Sequence, residues 1–171
     1  MRMSRLFGRT LREAPAGIEG AGQQLLLRAA FVRGVAGGIY AVLPLGARSL
    51  RRLEKRLVAG LEELGGQEMI LPQVAGSETY QTGPARPSLA AITELTDLLS
   101  RQYVLGPRGS AVLAALATPE VRSYRQLPAL LFARRQSWQD AAGPGRLMDA
   151  RESGVVESFG LAPDEGAAQA Q

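Results

Sequence analysis

The two side chains that carry most enzyme chemistry are missing: the 171 residues contain neither histidine nor cysteine. Without imidazole or thiol there is no usual general base, proton shuttle or zinc ligand, no sulfur nucleophile and no disulfide. No metal site and no resident cofactor are expected from what remains. Any chemistry must rest on carboxylates, arginines and backbone groups. The arginines are arranged for one such task, because Arg48, Arg51 and Arg52 recur with Lys55 and Arg56 along one segment of helical pattern. Residues 1–60 hold eleven basic against three acidic side chains, while the whole chain carries only +4. A cationic helix face in a basic first third can neutralise RNA phosphates. The same residues also fit an ordinary solvated surface in an arginine-rich protein, in which Lys55 is the only lysine.

The elements that would hold these groups follow from hydrophobic period and from glycine and proline. Composition is that of a folded protein, with 46% hydrophobic and 21% charged residues. The length suits one domain. Residues 1–17 read as a basic arm with at most one short helix, and Ile18–Val35 as a helix broken at Gly37 and Gly38. Ile39–Leu45 reads as a short strand or hairpin arm. The clearest element is Ala47–Leu64, a helix whose Leu50, Leu53, Leu57 and Leu61 form one stripe, stopped by Gly65 and Gly66. A strand over Gln67–Leu71 ends at Pro72, which cannot donate to a ladder. Residues 76–88 read as a loop, Leu89–Leu99 as a short helix and Gln102–Leu105 as a strand. Ser110–Tyr124 reads as a helix and Leu130–Trp138 as a strand. Residues 160–171 are small, polar and aperiodic, so a disordered tail after a single domain over 1–159 is expected. No run of apolar residues is long enough to span a bilayer, and no signal peptide is apparent, so a cytoplasmic protein with no membrane partner is expected.

Several strings resemble one family. They are TLREAPA at Thr10–Ala16, QLLLRAAFVR at Gln24–Arg33, GGIYAVLPLGARSLRRLE at Gly37–Glu54, GGQEMILP at Gly65–Pro72, VLGP at Val104–Pro107 and VRSYRQLPALLF at Val121–Phe132. In this order and spacing they are similar to the N-terminal part of the catalytic domain of bacterial prolyl-tRNA synthetases. The resemblance implies an α+β fold, an incomplete class II synthetase catalytic domain with an antiparallel sheet flanked by helices. It makes Ala47–Leu64 the motif 1 helix and implies a dimer interface at Leu50, Leu53, Leu57, Leu61 and Pro72. The leucines could equally face this chain's own core.

The family's reaction, adenylate formation from proline and ATP and then transfer to tRNA, needs placement and cations more than acid or base catalysis. Three positions depart from what the resemblance implies for it. Where the family has Thr-Xaa-Glu to hold the substrate amine, Leu105-Gly106-Pro107 is followed by Arg108, Gly109 and Ser110, a cation where an ammonium should bind. In motif 2 the family's Phe-Arg-Asp-Glu is replaced by Trp138-Gln139-Asp140-Ala141, so the fork that binds the α-phosphate is lost. Losing one such donor commonly costs about 100- to 1000-fold in rate. In the following strand Arg151 and Glu152 remain, but Ser153 stands where an aromatic ring would stack on adenine. The resemblance also implies that motif 3 and the anticodon-binding domain lie beyond residue 171.

Three functions are consistent with this pattern. The first is a noncatalytic synthetase-like protein acting as a homodimer or as a heterodimer with a class II synthetase. The second is a tRNA- or RNA-binding module using Arg48, Arg51 and Arg52. The third is an active amino-acid-activating enzyme completed by another chain, with Asp140, Arg151 and Glu152 as its surviving polar groups and with ATP and magnesium bound only in that case.

Overall fold

A computed structural model of the chain describes residues 5–82, 93–106, 108–139 and 146–169. The chain folds as two compact units, Met1–Arg56 with Ala142–Glu152, and Leu57–Ala141 with Ser153–Gln171. No helix among the described residues is long and apolar enough to cross a membrane.

In the first unit, α1 (Ala21–Arg28) stops well short of the expected helix over Ile18–Val35. Ala30 turns the chain with φ 58°, and Val32–Ala36 forms β1, paired antiparallel with β2 (Ile39–Val42) across the Gly37-Gly38 turn. The helical spacing of the leucines is real, but the β-branched residues from Val32 find a partner strand, and pairing overrides it. The basic arm is docked. Leu11 N–H donates to the Arg28 carbonyl at 2.9 Å, and the Arg33 guanidinium bridges the carbonyls of Arg9 and Leu27. Gly46 allows a close crossing, since a Cβ there would lie 2.4 Å from the Phe31 carbonyl oxygen.

The long helix α2 (Pro44–Glu63) begins with proline at a position where no amide donor is needed. It ends in a Schellman motif: Gly65 has φ +80°, Gly65 N–H donates to Glu62 O at 2.9 Å and Gly66 N–H to Leu61 O at 2.8 Å. The chain passes at once into β3 (Gln67–Met69), which lies parallel to β7 (Ala129–Trp138) with Glu68 opposite Phe132. β8 (Glu152–Leu161) completes the order β3-β7-β8. A second sheet has the order β4-β6-β5, with β4 (Val74–Gly76) and β5 (Thr93–Thr96) antiparallel to β6 (Gln102–Leu105). The fold is α+β as expected. The β1–β2, β4–β6 and β5–β6 pairs are antiparallel, and the β3–β7 pair is parallel.

The expected loop over 76–88 begins with the end of β4 and a short helix, α3 (Ser77–Thr82). The expected helix over Leu89–Leu99 is replaced, in its described part, by β5 and a turn. Asp97 makes that turn: its Oδ1 accepts from Leu99 N–H at 2.8 Å and Arg101 N–H at 2.9 Å, and its Oδ2 pairs with Arg101 Nε at 2.7 Å. The hydrogen bond from the Arg101 backbone is the main cause that holds the Asp97 carboxyl below the usual carboxylate range. A depressed carboxyl supports the fold above its unfolded pKa and loses that support as pH falls through its folded one. The turn should therefore stay closed to an unusually low pH and then open. The carbon shift of the Asp97 carboxyl and the amide shift of Arg101, followed together by NMR on acidification, should move as one transition, and Asp97→Asn should abolish it.

α4 (Ser110–Glu120) is shorter than the expected helix to Tyr124 because Ser123 and Gln126 form a capping box that starts a separate 3-10 turn, Tyr124–Gln126. Leu71, Val112, Leu113 and Ala133 form the core between α4 and the first sheet, packed by Met69, Leu131 and Phe159. Phe132 is fully buried. In the tail expected over 160–171, the described residues carry regular elements. β8 continues to Leu161 and α5 (Glu165–Gln169) follows, because Asp164 caps it with Oδ1 accepting from Ala167 N–H at 2.8 Å.

Candidate functional site

The residues expected at an amino-acid pocket sit where β6 turns into α4, in the second unit. Arg108 is exposed, so the cation expected to repel a substrate amine points to solvent. Gly109 is buried and its N–H donates to Glu157 Oε2 at 2.9 Å. A side chain there would be tight: a Cβ on Gly109 would lie 3.0 Å from both Glu157 Oε2 and Leu71 Cδ1, which would have to give way by a few tenths of an ångström. Ser110 opens α4 half-buried.

The cation at this turn comes instead from β7. Alternation along β7 places Ala133, Arg135 and Ser137 on the buried face, with Arg134 and Gln136 outward. The Arg135 side chain is only 2% exposed, its Nη2 donates to the Gly106 carbonyl at 3.1 Å, and its Nη1 lies 3.5 Å from Glu157 Oε2. Nε and Nη1 have no hydrogen-bond partner among the described residues. Tyr80 stands beside the turn with its hydroxyl 3.5 Å from the Arg108 carbonyl. Burial, above all, pushes its phenol above the ordinary value, with Arg135 opposing and Glu157 reinforcing. Neither Arg135 nor Glu157 stands out in the sequence. The available signal is a charged residue at an inward position of a strand whose neighbours alternate.

The motif 2 positions divide. Trp138 is anchored through Nε1, which donates to Thr93 Oγ1 at 3.0 Å, and Gln139 is half-buried at the end of β7. Asp140 lies outside the described residues. Arg151 and Glu152 belong to the first unit and Ser153 to the second. Arg151 is tied to the β1–β2 turn, its N–H donating to Gly38 O at 2.8 Å and its side chain packing on Gly38. Glu152 and Ser153 are exposed.

On α2, Leu50, Leu53 and Leu57 are 53%, 59% and 58% exposed, so the alternative that they face the chain's own core does not hold for these three. Leu61 is half-buried and Pro72 exposed. Arg48, Arg51, Arg52 and Lys55 line an open groove in the first unit with Val42, Pro44 and Ala47. At 3.6 residues per turn the two sets lie about 180° apart on the helix. Among the described residues no group of three or more carboxylates, histidines or cysteines could hold a metal ion.

No protein-family model matches the chain. Curated relatives do. A proline-tRNA ligase of Moorella thermoacetica is 40% identical over 145 residues, which is 84% of this chain and 25% of that protein. One of Pelotomaculum thermopropionicum is 36% identical over 167 residues, 96% of this chain and 29% of that protein. The chain is homologous to part of the proline-tRNA ligases. It spans between a quarter and a third of the length of these ligase relatives. The fold agrees: a prolyl-tRNA synthetase of Cryptosporidium parvum, solved with L-proline and AMP, superposes with a TM-score of 0.75 at 13% identity, over 85% of this chain and 29% of that one.

Proposed function

We propose that this proline-tRNA ligase homologue is noncatalytic and works by association, as a homodimer or by pairing with a class II synthetase in the cytoplasm. The observation that carries the reading is the exposure of Leu50, Leu53 and Leu57 along one face of α2, an apolar stripe of the kind that marks a protein interface. Loss of chemistry is supported by Gln139 in place of a phosphate-binding arginine, by Ser153 in place of a stacking ring, and by a β6–α4 turn that presents no free acidic group to a substrate amine. Glu157, the carboxylate at that turn, is already engaged by Gly109 and Arg135. ATP with magnesium would be a ligand only if activity were retained.

The test is ATP-pyrophosphate exchange with proline on the purified chain. The expected result is exchange at background, and turnover above background would sink the noncatalytic reading. A sizing experiment on the same sample should give twice the protomer mass, or a monomer that enters a complex when a full-length prolyl-tRNA synthetase is added.

A second reading is favoured by the groove lined by Arg48, Arg51, Arg52 and Lys55, four cations over an apolar floor, which suits the phosphates of tRNA or another RNA. It predicts binding that weakens steeply with salt, and a shallower salt slope when Arg48, Arg51 and Arg52 are replaced by glutamine.

A further inference from the structure

The sheet of the order β3-β7-β8 ends on a long strand with one side open. β8 is hydrogen-bonded to β7 alone among the described residues, and nine of its ten residues, 153–161, lie in the second unit with β3 and β7. Alternate residues of such a strand, about five of them, turn both N–H and C=O away from the strand they pair with. Exposed edges are normally kept short or blunted with proline or lysine. The other outer strands are short: β3 and β4 have three residues, β5 four, and β1 and β2 five and four. β8 has ten, with neither proline nor lysine. Ser153, Gly154, Ser158 and Gly160 are exposed along it, small residues that let another backbone come close.

An open groove lies at the C-terminal end of the same strand. Val121 and Leu127 line it with Leu161 and Ala162, and Asp164 and Glu165 bring two carboxylates to it. Residues 153–171 hold three acidic side chains and no basic one, in a chain of net charge +4. Apolar walls beside carboxylates suit lysine or arginine, whose alkyl stem covers apolar surface while the charged head stays in water. A second copy of β8 would bring the same cation-free segment to this edge and leave the carboxylates unanswered.

We propose that the open edge of β8 is a docking site for an extended segment of another polypeptide, which adds a strand along 153–161 and carries lysine or arginine at alternate positions, one of them reaching the groove. Backbone pairing gives the affinity, and the alternate side chains give the selectivity. The proposal rests on the reading that the chain works by association, and it names a surface for a partner other than a second copy.

The experiment uses the full chain, isotope-labelled, and a fluorescent octapeptide of alternating lysine and valine. Anisotropy should show saturable binding. The same octapeptide N-methylated at every residue keeps its charge but has no amide donor, and should bind weaker by roughly tenfold or more. An octapeptide of alternating glutamate and valine should also bind weaker, and Glu165→Gln should weaken the lysine peptide by about threefold. Amide exchange reads the mode: alternate amides over 153–161 exchange fast in the free chain and should slow by roughly tenfold or more when the peptide is bound. No binding at millimolar peptide, equal affinity for the N-methylated peptide, or unchanged exchange over 153–161 would overturn the proposal. So would alternate amides already protected in the free chain and more strongly so at higher protein concentration, because a second copy would then hold the edge. Sizing of the same sample reports association through α2, so failure of that reading is seen separately.

Discussion

Truncating Glu157 to alanine should cost about 3–5 kcal/mol of folding stability, the largest single loss expected anywhere in the chain. The reason is not the attraction the pair contributes, since desolvating two charges offsets much of that. Removal of Glu157 leaves the Arg135 guanidinium, 2% exposed, with no counter-charge among the described residues and with the Gly106 carbonyl as its one good hydrogen-bond partner there. It also deprives the buried Gly109 N–H of its acceptor. Against a typical total of about 5–15 kcal/mol, that is a large share. Replacing both partners together, Arg135→Met with Glu157→Leu, should restore most of it, because apolar groups of similar size need no partner. Urea unfolding of the wild type, the single variant and the double variant decides the matter. A cost below about 1 kcal/mol for Glu157→Ala would mean that water reaches the guanidinium in solution.

The second large effect is on assembly. Leu53→Asp combined with Leu57→Asp should convert an associating protein into a single species of protomer mass in analytical ultracentrifugation. Stability of the protomer should hardly change, since both side chains are more than half exposed and surface substitutions usually stay within about 0.5 kcal/mol. That contrast separates an interface from a core. If the leucines packed inside the protomer, the same variant would unfold. If it remained associated at the wild-type size, the contact would have to lie elsewhere, with Leu64 and Ile70, which are exposed still further, as the candidates near the end of the helix.

The sequence announces α2 and its glycine stop almost residue by residue, because a 3.6-residue leucine period and a Gly-Gly terminator are local signals. Strands β6 and β7 also carry local signals, Tyr103 and Val104 ahead of Gly106 and Pro107 in β6 and the apolar run of Leu130, Leu131 and Phe132 after Pro128 in β7. What fails is decided at a distance. Val32–Ala36 becomes a strand only because Ile39–Val42 folds back on it, and Thr93–Thr96 becomes one because Asp97 turns the chain into β6. The candidate site shows the same division. The resemblance implies a pocket at Arg108, Gly109 and Ser110, but it does not single out Arg135, which is the buried cation at that turn. Nothing adjacent in sequence joins Arg135 to Glu157, which lie on neighbouring strands.

The arginine groove and the leucine stripe occupy opposite sides of one helix, so nothing on α2 makes their occupants compete. A dimer joined through the leucines would display two cationic grooves, one per protomer. A polyanion long enough to reach both would meet the second at an effective concentration set by the span between them, which raises avidity without a single new contact. Assembly and RNA affinity would then be thermodynamically linked, each strengthening the other, and the two readings of this chain would describe one behaviour.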